Sequence, residues 1–468
     1  MSKHIPFSEL KFDSRDPSAV VCYKGAWSDN DHKTWGEFLE GTAILRRKIE
    51  AAGGDKWLLH SEDCWCFLLA FTALLQCKKE VMLTANISPA YLAEIKGNSP
   101  FFTDQVFSGD RNMEKTFHIP TLINEKKETY TPAEIPLINT EEAYVVFWTS
   151  GTTGKPKPIK QRLKEFETDN RNILSKWGDE FYPRKVCSTV SQHHIYGFLF
   201  SILLPFTSGI PFRREMIRLP EELEKFSDTE YFIITVPAFL KRAVEVETPL
   251  SLRLKSPCIL ASGGFLFPDV AQKTFEVFGA WPLEMYGSTE TSGVAWRQQS
   301  AGPVWTPFGN AELWVNEDSC LVVKSDYIKD PSGIFETADL VKMLPDGRFI
   351  LMGRLDSVVK IEGKRISLPE VENRITESGL VSDVCVIALE DVRQYLAAAL
   401  VFNPQGKEKF ASLEKNEINK YWREYLLKYF ENTLIPKRWR YLESLPVDAQ
   451  GKKKKEDIEM LFAEESRN

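Results

Sequence analysis

The sequence is poor in the residues that usually advertise reactive centres. It has six histidines and eight cysteines in 468 residues, and only Cys64 and Cys66 lie close together. A lone C-x-C is no metal-ligand spacing, and scattered cysteines read as small buried hydrophobes with free thiols, as in a reducing compartment. There is no excess of positive charge: 59 basic residues stand against 66 acidic ones, a net charge of −7. That balance excludes the basic footprint of a nucleic-acid binder. No apolar run is long. The longest, near Ile195–Phe206, falls short of the ~20 residues a spanning helix needs. The opening stretch MSKHIPFSELKF has no apolar core of a secretory signal. A cytoplasmic protein without membrane insertion is expected. Glycine and proline, at 26 each, exclude collagen-like and low-complexity chains. No repeat of solenoid or propeller period is present. What remains is ordinary globular material. Hydrophobic residues make up 43% and aromatics 12%, which excludes wholesale disorder.

At ~150 residues per domain, the length predicts about three domains, or one large and one small. Thr34 to Ala52 carries a helical apolar stripe through Trp35, Phe38, Leu39, Ala43, Leu45 and Ile49, ended by Gly53-Gly54. Cys66 to Gln76 is a second apolar helix. In the middle, short apolar runs end in turns rich in glycine or hydroxyls: Tyr144–Trp148, Tyr231–Val236, Cys258–Ala261 and the segment around Glu284–Tyr286. Such runs with helical stretches between them predict buried strands of an α/β domain, whose ligands bind beyond the strand ends. The pattern changes after about residue 310. Leu321–Lys324 and Arg348–Met352 read as strands with Asp346-Gly347 turning between them. Val384–Leu389 and Leu396–Phe402 follow as strands, and Glu417–Phe430 as an amphipathic helix. The fold class is α/β: a large N-terminal domain of several subdomains with parallel-rich sheets and helices (1–353), then a small mobile α+β domain (354–468).

The most informative stretch is Thr149-Ser150-Gly151-Thr152-Thr153-Gly154-Lys155-Pro156-Lys157. Its glycines let backbone N–H groups turn toward an anion, its hydroxyls add donors, and its lysines add charge. That combination suits a polyphosphate. It is not a Walker A loop: only two residues separate its glycines, and Pro156 follows the lysine. It resembles the phosphate loop of adenylate-forming enzymes, which include acyl- and aryl-CoA synthetases, luciferases and the adenylation domains of peptide synthetases. Pro158 stands where that family usually has glycine.

Further stretches resemble the same family in its order. His193-His194-Ile195-Tyr196-Gly197 resembles a segment of acid activators in which the residue at His194 borders the acid pocket. Ser262-Gly263-Gly264 resembles the small-residue loop beside adenine and the acyl group. Tyr286-Gly287-Ser288-Thr289-Glu290 resembles Y-G-x-T-E. The resemblance implies that Tyr286 stacks on adenine, Thr289 bonds phosphate and Glu290 holds Mg²⁺. Thr337-Ala338-Asp339 resembles T-G-D, whose acid accepts from the ribose hydroxyls. Gly353–Arg365 resembles the hinge segment, with Arg354 near the nucleotide, Asp356 at the hinge, and Lys360 and Gly363 on the loop that serves thioester formation. Pro446–Lys452 resembles P-x-x-x-x-G-K, with Lys452 as catalytic lysine. Lys453 to Lys455 read as a solvated basic tail.

The resemblance thus implies an ATP- and Mg²⁺-dependent ligase that joins a small carboxylic acid to AMP and then to a thiol. Catalysis would fall to Lys452, Glu290, Thr152 and His194. Nucleotide binding would fall to Thr149, Ser150, Gly151, Thr153, Gly154, Lys157, Gly263, Gly264, Tyr286, Gly287, Thr289, Asp339 and Arg354. The acid pocket would comprise His194, Tyr196 and Met285. No aspartate precedes that pocket, so an amino acid substrate is disfavoured, and Met285 would narrow it toward a short acyl or compact aryl acid. The acceptor is coenzyme A or the phosphopantetheine of an acyl carrier protein, with coenzyme A ahead, in a monomer or homodimer. No Ser-His-Asp or Cys-His constellation is present, as expected where no protein nucleophile is needed. A nucleotide sensor without turnover and a phosphotransferase that releases ADP are the rival readings.

Overall fold

The structure is a computed structural model. It describes the chain except for residues 1–3, 28–29, 108–114, 126–135, 151–155, 227–228, 246–253, 362–363, 391–393, 448–452, 454 and 464–468. The chain is α/β, as expected. It divides into two compact units: Met1–Leu313 with Val323–Phe335, and Trp314–Val322 with Glu336–Asn468. The chain therefore first enters the second unit at Trp314, ahead of Arg354.

The first unit is built on two sheets. One has six strands in the order Thr116–His118, Phe101–Thr103, Lys56–His60, Glu80–Leu83, Tyr144–Ser150, Pro156–Arg162. All its neighbours are parallel except the last pair. The other runs parallel through Leu283–Ser288, Cys258–Ala261, Tyr231–Thr235, Lys185–Ser188, Phe212–Arg213 and Val20–Tyr23. Alternation along each strand sends residues to opposite faces. Leu59 and Val145 of the first sheet, and Phe232 and Ile234 of the second, share one core with helices Trp35–Ala52, Cys64–Gln76 and Leu163–Phe181. Leu58 and Val146 face the helix Pro89–Ile95 instead. Ile233 and Ile259 face helices Pro237–Val244 and Pro268–Phe278. Parallel strands buried on both sides explain the unbroken apolar runs in the sequence.

The helix Trp35–Ala52 begins in a capping box: Thr34 Oγ1 accepts from the Glu37 N–H, and the Glu37 carboxylate accepts from the Thr34 N–H at 2.9 Å. The helix Cys64–Gln76 starts two residues earlier than its apolar stripe predicts, because Asp63 caps it by accepting from the Trp65 N–H at 2.7 Å. Its residues Cys64–Leu75 are all buried. All eight cysteines are free thiols and seven are buried; burial pushes the Cys22, Cys64 and Cys66 thiols up and keeps them un-ionised.

In the second unit, Val381–Glu390 and Gln394–Phe402 pair antiparallel, and Arg438–Leu442 joins in parallel. Helices Leu368–Thr376 and Lys415–Leu426 cover one face around Trp422, and Ile458 and Phe462 of helix Lys455–Ala463 cover the other. One expectation is corrected here. Asp346-Gly347 does not turn from Leu321–Lys324; it joins Phe349–Arg354 to a strand the sequence hides, Ile334–Met343. Lys453 is exposed, as expected of the basic run, yet tied to the fold. It bonds the Asp383 carboxylate at 2.9 Å and the Val384 carbonyl, with Glu372 nearby.

Candidate active site

The two ends of the phosphate-loop motif lie on paired strands. Tyr144–Ser150 pairs antiparallel with Pro156–Arg162, with Thr149 opposite Lys157 and Ser150 opposite Pro156. Gly151, Thr152, Thr153 and Gly154 lie outside the described residues, as do the side chains of Thr149 and Ser150. The returning strand escaped sequence reading because Pro156 and Pro158 argue against a strand. Both are accommodated because it is the edge strand of its sheet.

A cleft of about 780 Å³ runs beside this strand. Lys157, Lys160, Arg162 and Lys329 line it with Glu290, Asp326 and Asp330. It therefore brings together two residues that the motifs placed far apart, Lys157 and Glu290. Lys160, Arg162 and Lys329 were not foreseen, and all are paired. Lys160 bonds Glu80 and lies over the Tyr144 ring at 4.1 Å. Arg162 Nε donates to Glu165 at 2.6 Å, and Lys329 lies 3.5 Å from the same oxygen.

Glu290 is carried by a tight turn between the strands Leu283–Ser288 and Ser292–Gln298. The Ser288 N–H donates to Thr291 Oγ1 at 3.1 Å, and the Glu290 N–H to Ser288 Oγ at 3.2 Å. Gly287 is required here: a Cβ would fall 1.9 Å from the Ser292 carbonyl oxygen. Thr289 is half-buried on this turn. Tyr286, also half-buried, meets Trp305 edge to face at 5.7 Å. Beneath the turn Glu284 and Arg297 form a buried two-bond ion pair, at 2.9 and 2.8 Å. Asp169, buried behind Ser292, is pushed up to about 7 by its desolvation, with Ser292 and Asn310 bonding it in opposition.

The two adjacent histidines separate in role. His193 is buried; its Nε2 accepts from the Ser61 N–H at 3.0 Å, which leaves Nδ1–H to donate to Ser191 Oγ at 2.8 Å. It stacks on His60 at 4.6 Å, and burial holds both rings below the usual histidine range. His194 is half-buried at the start of the helical turn Ile195–Gly197. The Tyr196 hydroxyl donates to the Leu260 carbonyl at 2.7 Å, so its ring is the part left to line a pocket. Met285 is buried, and a Cβ at Gly293 would lie 2.8 Å from its sulfur. The Ser262 hydroxyl donates to the Met285 carbonyl at 2.8 Å, ahead of Gly263 and Gly264, which are exposed at the strand end.

In the second unit the antiparallel register sets Asp339 opposite Arg354, and Arg354 Nη1 donates to Asp339 Oδ1 at 3.1 Å. Two residues that the motifs assign to the nucleotide are thus direct neighbours. Asp356 falls in the turn Leu355–Ser357 and Lys360 on the strand Val358–Ile361; their side chains, and all of Gly363, lie outside the described residues. Lys452 also lies outside them; on either side of it, Val447 and Lys453 form an antiparallel bridge.

Among the described residues, no three His, Cys, Asp or Glu side chains gather to hold a metal alone. A magnesium ion held largely by phosphate oxygens and water needs only one or two carboxylates. The Glu290 carboxylate, on the wall of the cleft that Lys157 also lines, fits that need. Among the described residues no helix is long and apolar enough to cross a membrane.

The sequence model of the AMP-binding enzyme family matches residues 44–324, and the chain belongs to that family of adenylate-forming enzymes. Malonate–CoA ligase of Arabidopsis thaliana is 24% identical to it, over 73% of this chain and 66% of the relative. A probable CoA ligase of Humulus lupulus is 25% identical, over 76% of this chain and 64% of the relative. Tyrocidine synthase 3 of Brevibacillus parabrevis is 27% identical, over 66% of this chain and 5% of that protein. The alignments thus span just under two thirds of the two ligases and a small part of the synthase. The fold matches O-succinylbenzoate coenzyme A synthetase of Bacillus subtilis in complex with AMP, with a TM-score of 0.77 at 19% identity, over 94% of this chain and 95% of that one. It also matches ATP-bound MatB of Rhodopseudomonas palustris, with a TM-score of 0.75 at 16% identity, over 97% and 98% of the two chains.

Proposed function

We propose that this protein is an AMP-forming acid–thiol ligase. The observation that carries the reading is the cleft wall shared by Lys157 of the phosphate-loop hairpin and Glu290 of the Tyr286–Glu290 turn. A carboxylate oxygen of the acid attacks the α-phosphorus of ATP, and pyrophosphate leaves with its electron pair. The resulting acyl adenylate has a good leaving group, so a thiol displaces AMP and yields a thioester. Lys157 and the loop hydroxyls bind phosphate, and Lys452 offsets the charge that builds between carboxylate and α-phosphate. Glu290 holds Mg²⁺, which when bound neutralises phosphate charge. Asp339 and Arg354 take the ribose, and Tyr286 the adenine. Asp356, Lys360 and Gly363 serve the thioester step.

The acid is a short acyl or compact aryl acid. Two things support this: no aspartate stands in the His193–Phe198 stretch, and Met285 is packed closely against Gly293. Coenzyme A is the acceptor we favour, on the likeness to the CoA ligases. The likeness to tyrocidine synthase 3 keeps a carrier-bound phosphopantetheine as the second reading. The test is acid-dependent ATP–pyrophosphate exchange over short and medium fatty acids, benzoates, cinnamates and amino acids, followed by a choice of thiol. Exchange with one acid class names the substrate. ATP bound without exchange favours the sensor, and release of ADP in place of AMP rejects the ligase.

A further inference from the structure

One buried carboxylate ties the phosphate-loop hairpin to the Glu290 turn. Asp169 lies on the helix Leu163–Phe181, which follows directly on the hairpin strand Pro156–Arg162. It is only 6% exposed, and the Ser292 hydroxyl donates to its Oδ2. The Asn310 amide bonds the same carboxyl and donates to the Gly293 carbonyl at 3.1 Å. Ser292 has a φ of +55°, in the left-handed region that non-glycine residues rarely occupy. Strain of this kind persists only where the surroundings enforce it. Here they do so from two sides. The Ser292 hydroxyl is held by Asp169, while its carbonyl accepts from Thr291 Oγ1 at 3.1 Å and fills the space that Gly287 leaves. The turn that bears Thr289 and Glu290 is thus closed at its far end by a residue fixed to the phosphate-loop helix.

We infer that Asp169 is a positioning residue that acts through Ser292 to set the Glu290 carboxylate for a phosphate-bound divalent cation. The inference rests on the proposed role of Glu290, and its test separates the two. ATP binding is measured by calorimetry with excess Mg²⁺ and again in EDTA, and the readout is the factor by which Mg²⁺ tightens ATP. Asp169→Ala and Ser292→Ala each cut this factor about tenfold, the size expected for losing one buried hydrogen bond. ATP affinity in EDTA stays as in the wild type. Asp169→Asn keeps an acceptor oxygen for Ser292 and restores the factor. Ser292→Ala removes one hydroxyl and no backbone group, so it serves if Asp169→Ala does not fold. A merely structural bond would lower the melting temperature of both variants and leave the magnesium factor intact, which overturns the inference. Glu290→Gln is the control. If it cuts the factor while Asp169→Ala and Ser292→Ala do not, the anchor alone is wrong. If Glu290→Gln leaves the factor unchanged, the role of Glu290 fails, and the inference with it.

Discussion

Glu284–Arg297 and Asp339–Arg354 look alike on paper and differ in what surrounds them. Each is an acid and an arginine set opposite one another across an antiparallel pair of strands. In the first the side chains are 5% and 8% exposed. Glu284 there also accepts from Gln299 at 2.9 Å, and the guanidinium lies over Trp305 at 4.5 Å. In the second, Asp339 is 18% and Arg354 51% exposed, and Arg354 Nη1 donates to Asp339 Oδ1 at 3.1 Å. A buried pair must be fully satisfied or it destabilises the fold, whereas a half-exposed pair is held loosely enough to exchange a partner for a ligand. The first pair therefore belongs to the scaffold under Tyr286 and Met285. The second is the pair that the proposed function gives to the nucleotide.

The sharpest way to break this contrast is Arg297→Ala. It strands a buried carboxylate and should cost about 3–5 kcal/mol of folding stability. Urea unfolding reads this directly, and a loss under ~1 kcal/mol would remove Glu284–Arg297 from the scaffold.

Asp169 supplies the next contrast, because among the described residues it is a buried acid without a cation partner. The groups facing it are the Ser292 hydroxyl, the Asn310 amide, the Glu165 charge and the buried Tyr327. Burial raises it from 3.8 to about 7 in the folded chain. A raised carboxyl contributes stability below its unfolded value that is lost as pH climbs through its folded value. Asp169→Asn should therefore become progressively more stable than the wild type between about pH 4 and pH 7, by at most a few kcal/mol. Unfolding curves at several pH values test this, and a gap that does not change with pH contradicts it.

Much of the first unit was legible because local chemistry and tertiary structure agree there. The apolar stripe from Trp35 to Ile49 announces its helix, and the strands buried on both faces are unbroken apolar runs. The Tyr286–Glu290 turn needed its glycine for space, and motif and geometry point to the same residue. The strand Pro156–Arg162 was hidden by its prolines, which only an edge position tolerates. Ile334–Met343 was hidden because most of its residues are half-exposed and polar ones interrupt the apolar pattern. Register is the largest gap: nothing local says that Asp339 faces Arg354, or that Ser292 reaches a carboxyl 123 positions away. Asp169 carries no motif, and its one signal would have been an acid on the buried side of an amphipathic helix.

Asp339→Ala gives the smallest expected change in the fold and separates the two ion pairs best. Removing one partner of a half-exposed pair should alter stability by about 0–1 kcal/mol, with added salt shrinking the difference further. The same variant should weaken ATP binding by ~1.5–3 kcal/mol, because the ribose hydroxyls lose a charged acceptor. Calorimetry and urea unfolding on one preparation give both numbers. If affinity falls and stability holds, Asp339 is a ligand group that Arg354 occupies only in part. If stability falls as far as in Arg297→Ala while ATP still binds, the exposed pair is scaffold after all, and exposure is the wrong criterion for telling the two apart.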